Sequence, residues 1–213
     1  MKLHWSPRSP FVRKVMVTAY ECALVNDIEL IRSQVAMINP NRTLMTDNPL
    51  SKIPTLVLAD GRALFDSTVI CEYFDQLAAE RGAGRRVFPR EFPARFDALC
   101  RNALGGGLTD LLILWRHERE RPPEAQSPAL LASFAAKAAA TLARIEKEIA
   151  ASPAARFDIG DIAIGCALSY LDFRFAFLDW RADHPMLALW HERFTSRASV
   201  RATAIVDDSV AHA

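Results

Sequence analysis

Leu3, His4 and Trp5 form a short strand-like stretch, after which Phe11, Val12, Val15, Met16, Ala19 and Cys22 recur at helical spacing. Ile28 and Leu30 then alternate with Asp27 and Glu29. That pattern predicts a second strand, parallel to the first through a right-handed crossover, and so one βαβ unit. Residues 31–50 include Pro40 and Pro49 and have weak periodicity, which predicts an irregular segment with one short helix. Residues 55–59 and 62–65 read as strands around Asp60-Gly61, a dipeptide that tolerates the positive φ of a tight hairpin. Val69, Ile70, Tyr73, Phe74 and Leu77 return to helical period, with Asp66 or Ser67 placed to cap the helix.

The pattern changes after residue 80. Gly82, Gly84, the Arg85-Arg86 pair, Pro89 and Pro93 mark an exposed linker over residues 81–92. Beyond it every periodic stretch is helical. Phe96, Leu99, Cys100 and Ala103 mark one helix, and Leu131, Phe134, Ala138, Leu142, Ile145 and Ile149 mark another, opened by Ser127-Pro128. Residues 158–161, Asp-Ile-Gly-Asp, cap a third helix predicted over residues 162–177, whose apolar side chains go all the way round and so belong at a buried centre. The fold class expected is α/β plus all-α. A βαβ-ββα domain (residues 1–80) precedes a linker (81–92) and a helical-bundle domain (93–213).

The 213 residues are 51% hydrophobic and 24% charged, a balance that folds rather than staying disordered. The 26 Lys and Arg nearly cancel the 25 Asp and Glu, leaving +1 and no bulk charge to attract nucleic acid. Polar residues interrupt every apolar run, Asp172 and Arg174 among them, so no membrane span is expected. The N-terminal residues lack the apolar core of a secretory leader, and a cytoplasmic location is expected. Cys22, Cys71, Cys100 and Cys166 lie far apart within helical patterns, as reduced packing residues do. The five histidines show no metal-ligand spacing, so no metal is expected.

No P-loop, G-x-G-x-x-G, H-E-x-x-H or G-x-S-x-G motif occurs. Gly105-Gly106-Gly107 follows a helical pattern rather than a strand, so it is no phosphate loop. It either interrupts the helix or costs about 3 kcal/mol within it, a cost that hints at a close backbone approach or room beside a pocket. The informative stretch is Ser6-Pro7-Arg8-Ser9-Pro10-Phe11. Ser9 stands at the N-cap and Pro10 at the first helical position, which capping alone explains at about 1 kcal/mol. A hydroxyl there also sits where a strand-to-helix turn offers backbone amides and a positive dipole end to an anion such as a thiolate.

Several short motifs, in order, carry a resemblance over essentially the whole chain: Ser9-Pro10-Phe11 with Arg13, residues 48–54 (Asn-Pro-Leu-Ser-Lys-Ile-Pro), Asp66-Ser67 and the cap at residues 158–161. With these the chain resembles the glutathione transferases, nearest to serine-type members such as the tau class and small bacterial homologues. The resemblance implies a thioredoxin-like first domain and a helical second domain that forms the electrophile pocket. Omega-class and glutaredoxin relatives place cysteine where Ser9 stands, and Val12 takes the place of the second glutaredoxin cysteine. Without either thiol this turn cannot perform dithiol-disulfide exchange.

The chemistry implied is attack by the thiolate of glutathione, as co-substrate, on a hydrophobic electrophile. Lowering a thiol pKa of ~8.5 by two units takes ~2.7 kcal/mol, which a Ser9 hydrogen bond to charged sulfur (~1.5–3 kcal/mol) and the helix terminus (~0.3–1 kcal/mol) can supply. Ser9 would be the donor to sulfur, with Ser6 its rival. A cis Ile53-Pro54 bond would turn the Ile53 backbone toward the cysteinyl part of glutathione, unless Pro54 is only a loop proline. Ser67 would receive the γ-glutamyl carboxylate and Asp66 the ammonium, although helix capping also explains the pair. Lys52 is a weaker candidate for the glycyl carboxylate. Leu108, Leu112, Trp115, Phe173 and Phe177 are expected near the electrophile pocket, between the two domains, and the family implies a homodimer. A noncatalytic glutathione-binding or hydrophobic-ligand protein is the alternative. An interaction module of transcription or translation is a third reading, disfavoured because a scaffold needs none of Ser9, Pro54, Asp66 and Ser67.

Overall fold

Burial follows the apolar spacing at the start of the chain: Leu3, Val15, Ala19 and Cys22 are fully enclosed. The computed structural model describes residues 1–151 and 156–208. The chain runs β1 (Lys2–Trp5), α1 (Pro10–Glu21), β2 (Glu29–Arg32), β3 (Thr55–Val57), β4 (Ala63–Leu64) and α2 (Ser67–Arg81). It continues with α3 (Ala94–Arg119), α4 (Pro128–Ala151), α5 (Ile159–Arg174), α6 (Trp180–Asp183), α7 (Pro185–Thr195) and α8 (Ala198–Arg201). The strands order as β2-β1-β3-β4, with β1 parallel to β2 and antiparallel to β3, and β3 antiparallel to β4. The hairpin turn is one residue longer than the expected dipeptide: Leu58 N donates to the Arg62 carbonyl at 2.9 Å and Gly61 N to the Leu58 carbonyl at 3.1 Å, so Ala59 turns together with Asp60 and Gly61, and Gly61 takes φ +85°. The irregular segment holds a single short 3-10 turn, Leu44–Thr46.

Two compact units emerge. One comprises Met1–Ala98 and the described residues from Ala198 onward, and the other Leu99–Arg197. The sequence boundary at residues 81–92 therefore lies ahead of the packing boundary, and α8 joins the first unit. Two contacts with α1 hold it: Arg13 Nη2 donates to the Val200 carbonyl at 3.3 Å, and Ser199 Oγ donates to Glu21 Oε1 at 2.6 Å. The linker is fixed by the buried Asp75 of α2, which accepts the amides of Val87 at 2.6 Å and Phe88 at 3.0 Å.

In the helical unit α5 is the centre, buried from Ile159 through Leu171. It starts at Ile159, earlier than expected, because Asp158 is the N-cap and exchanges capping-box bonds with Asp161. It ends at Arg174, where Phe175 leaves the helix and packs against Trp115, ring centres 4.9 Å apart and tilted by 45°. The α4 stripe Ala138, Leu142, Ile145 and Ile149 packs into the same core. Among the described residues α4 alone is long and apolar enough to cross a bilayer, a property the interrupted apolar runs did not lead us to expect; its Ala-rich stretch raises the hydropathy.

One expectation for α3 is corrected, and one left open is decided. Phe96, Cys100 and Ala103 face outward, and the buried face is Ala98, Arg101, Asn102, Gly105, Leu108 and Thr109. Arg101 can be buried because it pairs with Asp158 of α5, so charge pairing rather than apolarity selects that face. The helix also runs unbroken through Gly105-Gly106-Gly107. A Cβ on Gly105 would lie 2.6 Å from the backbone of Ala163 and Ile164, so α3 and α5 touch main chain to main chain, while Gly106 and Gly107 face open space. Leu108, Leu112 and Trp115 are core residues of this unit, and Phe177 lies exposed beneath the Arg119 guanidinium, 4.1 Å from its ring centre.

Candidate functional site

Strand register brings three segments to one end of the sheet. His4 pairs with Thr55, so the residues leaving β1 lie beside Ile53-Pro54, which enters β3. Leu56 pairs with Leu64, so the residues leaving β4, Phe65 to Ser67, reach the same end. Ser9, Ile53, Pro54, Asp66 and Ser67 thus gather at this end of the sheet although they are far apart in sequence.

Ser9 caps α1 with extended backbone angles, φ −81° and ψ 120°, and Pro10 follows as the first helical residue. Its Oγ accepts the Val12 amide at 3.3 Å, which leaves the hydroxyl proton available to donate. Ser9 is half-buried, whereas Ser6 is buried and its Oγ accepts the Arg8 amide at 3.4 Å. Ser9 is thus the more accessible residue of the two. The turn is also held from the C-terminal side: Val206 N donates to the Pro7 carbonyl at 3.4 Å. Asp208 takes Arg32 Nη2 at 2.6 Å, and Arg8 Nε lies 2.7 Å from its Oδ1, within ion-pair reach but poorly aligned as a hydrogen bond. Burial raises the Asp208 pKa, but the Arg32 hydrogen bonds and the charges of Arg32 and Arg8 outweigh it and the net shift is downward.

The Ile53–Pro54 peptide is cis, and Ile53 enters no turn or loop backbone hydrogen bond among the described residues. Asn48, buried, shapes this loop: its Nδ2 donates to Thr55 Oγ1 at 2.9 Å and to the Lys52 carbonyl at 3.2 Å, and its Oδ1 accepts the Leu50 amide at 3.0 Å. Lys52 is exposed. Asp66 rather than Ser67 is the N-cap of α2, with Oδ1 accepting Thr68 N at 2.9 Å and Val69 N at 3.4 Å. Ser67 is buried beside the ammonium of Lys14.

Sequence reasoning missed three participants. Lys14, buried on α1, sits among apolar helical positions and reads there as an interruption. His4 is buried in β1 with its ring nitrogens 2.8 Å from Ser33 Oγ and 2.9 Å from Asp47 Oδ2, tying β1 to the irregular segment. Asp208 lies close to the chain's C-terminus, where no pattern points to the turn at Arg8. The nearest signal was Asn48, which lies in residues 48–54, part of the resemblance.

No protein thiol in this unit is suited to be the nucleophile. Burial pushes the Cys22 thiol up to about 12, with the Asp75 charge adding to it, and burial likewise raises Cys71 despite the Lys14 charge. Among the described residues no three His, Cys, Asp or Glu side chains gather as a metal site requires.

The family model described as glutathione S-transferase, N-terminal domain, matches residues 8–77, and that of the C-terminal domain matches residues 116–193. The GST-like protein YibF of Escherichia coli K12 is 30% identical over 205 residues, 95% of this chain and 98% of its own. The chain belongs to the glutathione transferase superfamily. A glutathione transferase family member from Pseudomonas fluorescens Pf-5, solved with bound glutathione, superposes with TM-score 0.90 at 41% identity over 96% of this chain and 98% of its own. A glutathione S-transferase of Methylobacillus flagellatus, solved with glutathione bound, gives 0.86 at 34% identity over 96% and 99%. The tau-class enzyme of mango shares the fold, with TM-score 0.73 at 24% identity, 97% of this chain and 92% of its own.

Proposed function

We propose that this glutathione transferase family member conjugates glutathione to small hydrophobic electrophiles, as detoxification enzymes do, with Ser9 stabilising the thiolate. The observation that carries the reading is the Ser9 hydroxyl itself: its oxygen is engaged by Val12 N and its proton remains to be given, at the sheet end shared with Ile53 and Ser67. Relatives at 41% and 34% identity that bind glutathione support the choice of thiol.

In this reading the Ile53 backbone pairs with the cysteinyl residue, Pro54 fixes the loop, Asp66 accepts from the γ-glutamyl ammonium, and Ser67 donates to its carboxylate. Ser9 donates to sulfur and the first turn of α1 adds its dipole, so the thiolate exists near neutrality. It attacks the electrophilic carbon; a carbon–sulfur bond forms and, with an aryl halide, halide departs with the bonding pair. Ser9 is therefore a donor, not the nucleophile.

The protein would work in the cytoplasm, in keeping with four cysteines that are thiols rather than disulfides. It would be a homodimer, and the outward stripe of α3, with Phe96 and the neighbouring Phe92 58% and 79% exposed, is the apolar face a second copy could cover. Retention on immobilised glutathione together with turnover of an aryl halide tests the reading. Retention without turnover would favour the alternative, a noncatalytic glutathione-binding or hydrophobic-ligand protein. Loss of both would overturn the assignment.

A further inference from the structure

Lys14 lies on α1 with 2% exposure, and its Nζ donates to Thr68 Oγ1 at 3.1 Å and Ser67 Oγ at 3.4 Å. Among the described residues it meets these two hydroxyls and no carboxylate. A buried ammonium without a counter-ion is costly, and an ammonium carries donors alone. Toward Lys14 the Ser67 oxygen can therefore act only as acceptor, which leaves the Ser67 proton to point elsewhere. The other charge at this helix start is Asp66, whose carboxylate already takes the Thr68 and Val69 amides. Asp66 alone would make the start of α2 anionic, attracting an amine and repelling an acid. With Lys14 behind Ser67 the two charges cancel, and the site presents an acceptor for an ammonium beside a polarised donor for a carboxylate.

We propose that Lys14 is a positioning residue that makes the α2 terminus selective for a zwitterionic α-amino-acid group, supplying from behind Ser67 the countercharge for its carboxylate. The inference rests on the γ-glutamyl end of glutathione binding here. It adds a residue outside the motifs that carry the resemblance and explains how a carboxylate can settle beside Asp66.

Calorimetric titration of glutathione, and of γ-aminobutyryl-cysteinylglycine, which lacks only the γ-glutamyl carboxylate, tests it on wild type, Lys14→Met and Lys14→Arg. Wild type should favour glutathione by about tenfold or more. Lys14→Met should lose about that factor for glutathione while holding the analogue within about twofold, and Lys14→Arg should restore most of the discrimination. If Lys14→Met fails to fold, Lys14→Gln, which keeps a donor without the charge, takes its place. Equal losses for both ligands, or none, would assign Lys14 a purely structural role and overturn the proposal. A wild type that binds glutathione without discriminating overturns the role of Lys14 alone; a wild type that binds neither ligand overturns the glutathione reading with it.

Discussion

Asn48 Nδ2 donates to Thr55 Oγ1 at 2.9 Å, so a buried amide of the irregular segment grips the first residue of β3. The same side chain accepts the Leu50 amide and donates to the Lys52 carbonyl, and so sets the path of the loop that ends in Ile53-Pro54. Replacing it with alanine leaves buried polar groups unsatisfied. Asn48→Ala should lose about 1–3 kcal/mol in urea unfolding and raise KM for glutathione several-fold more than KM for the electrophile. Equal changes in the two constants would detach Asn48 from the glutathione loop.

The three consecutive glycines of α3 should respond with opposite signs. Gly105→Ala places a methyl 2.6 Å from the α5 backbone, which cannot yield as a side chain would, and should cost about 1–3 kcal/mol. Gly107→Ala meets open space and should gain up to about 1 kcal/mol through helix propensity. Thermal or urea unfolding of the two variants checks the contrast, and a stable Gly105→Ala protein would contradict the close approach.

Asp161 is wholly buried in the first turn of α5, where burial, with the neighbouring Asp158 charge, lifts its pKa from 3.8 to about 6 against the pull of Arg156 and Arg101. Because the folded pKa lies above the unfolded one, its protonated form favours folding. That contribution is fully present below about 4 and lost as pH rises through about 6. Asp161→Asn keeps an oxygen to accept the Asp158 amide but cannot ionise. Its stability relative to wild type should rise by roughly 1–3 kcal/mol between pH 4 and pH 7, measured by urea unfolding. A difference independent of pH would contradict the shift.

Much of this architecture was legible because it depends on periodic burial. Val12, Val15 and Ala19, then Leu142, Ile145 and Ile149, announce their faces, and Asp60-Gly61 and Asp158 announce a turn and a cap. The buried face of α3 was not legible. Arg101 and Asn102 look like solvent residues until Asp158 is brought beside them, and Phe96 looks like core. The motif residues Ser9, Ile53, Pro54, Asp66 and Ser67 could be singled out in advance, yet only strand register brings them to one end of the sheet. Lys14 and Asp208 meet partners remote in sequence, Ser67 and Arg8, and no local pattern encodes such pairs.

The central claim is that Ser9 holds the sulfur of glutathione as an anion. Ser9→Ala also removes the cap bond to Val12 and should cost about 1 kcal/mol of stability whatever the chemistry, so stability does not test it. The direct measurement is the ultraviolet thiolate band of bound glutathione, titrated with pH on wild type and Ser9→Ala. A wild-type midpoint about two units below ~8.5, rising by roughly one to two units in the variant, is the predicted result. A midpoint that the substitution leaves unmoved would contradict it.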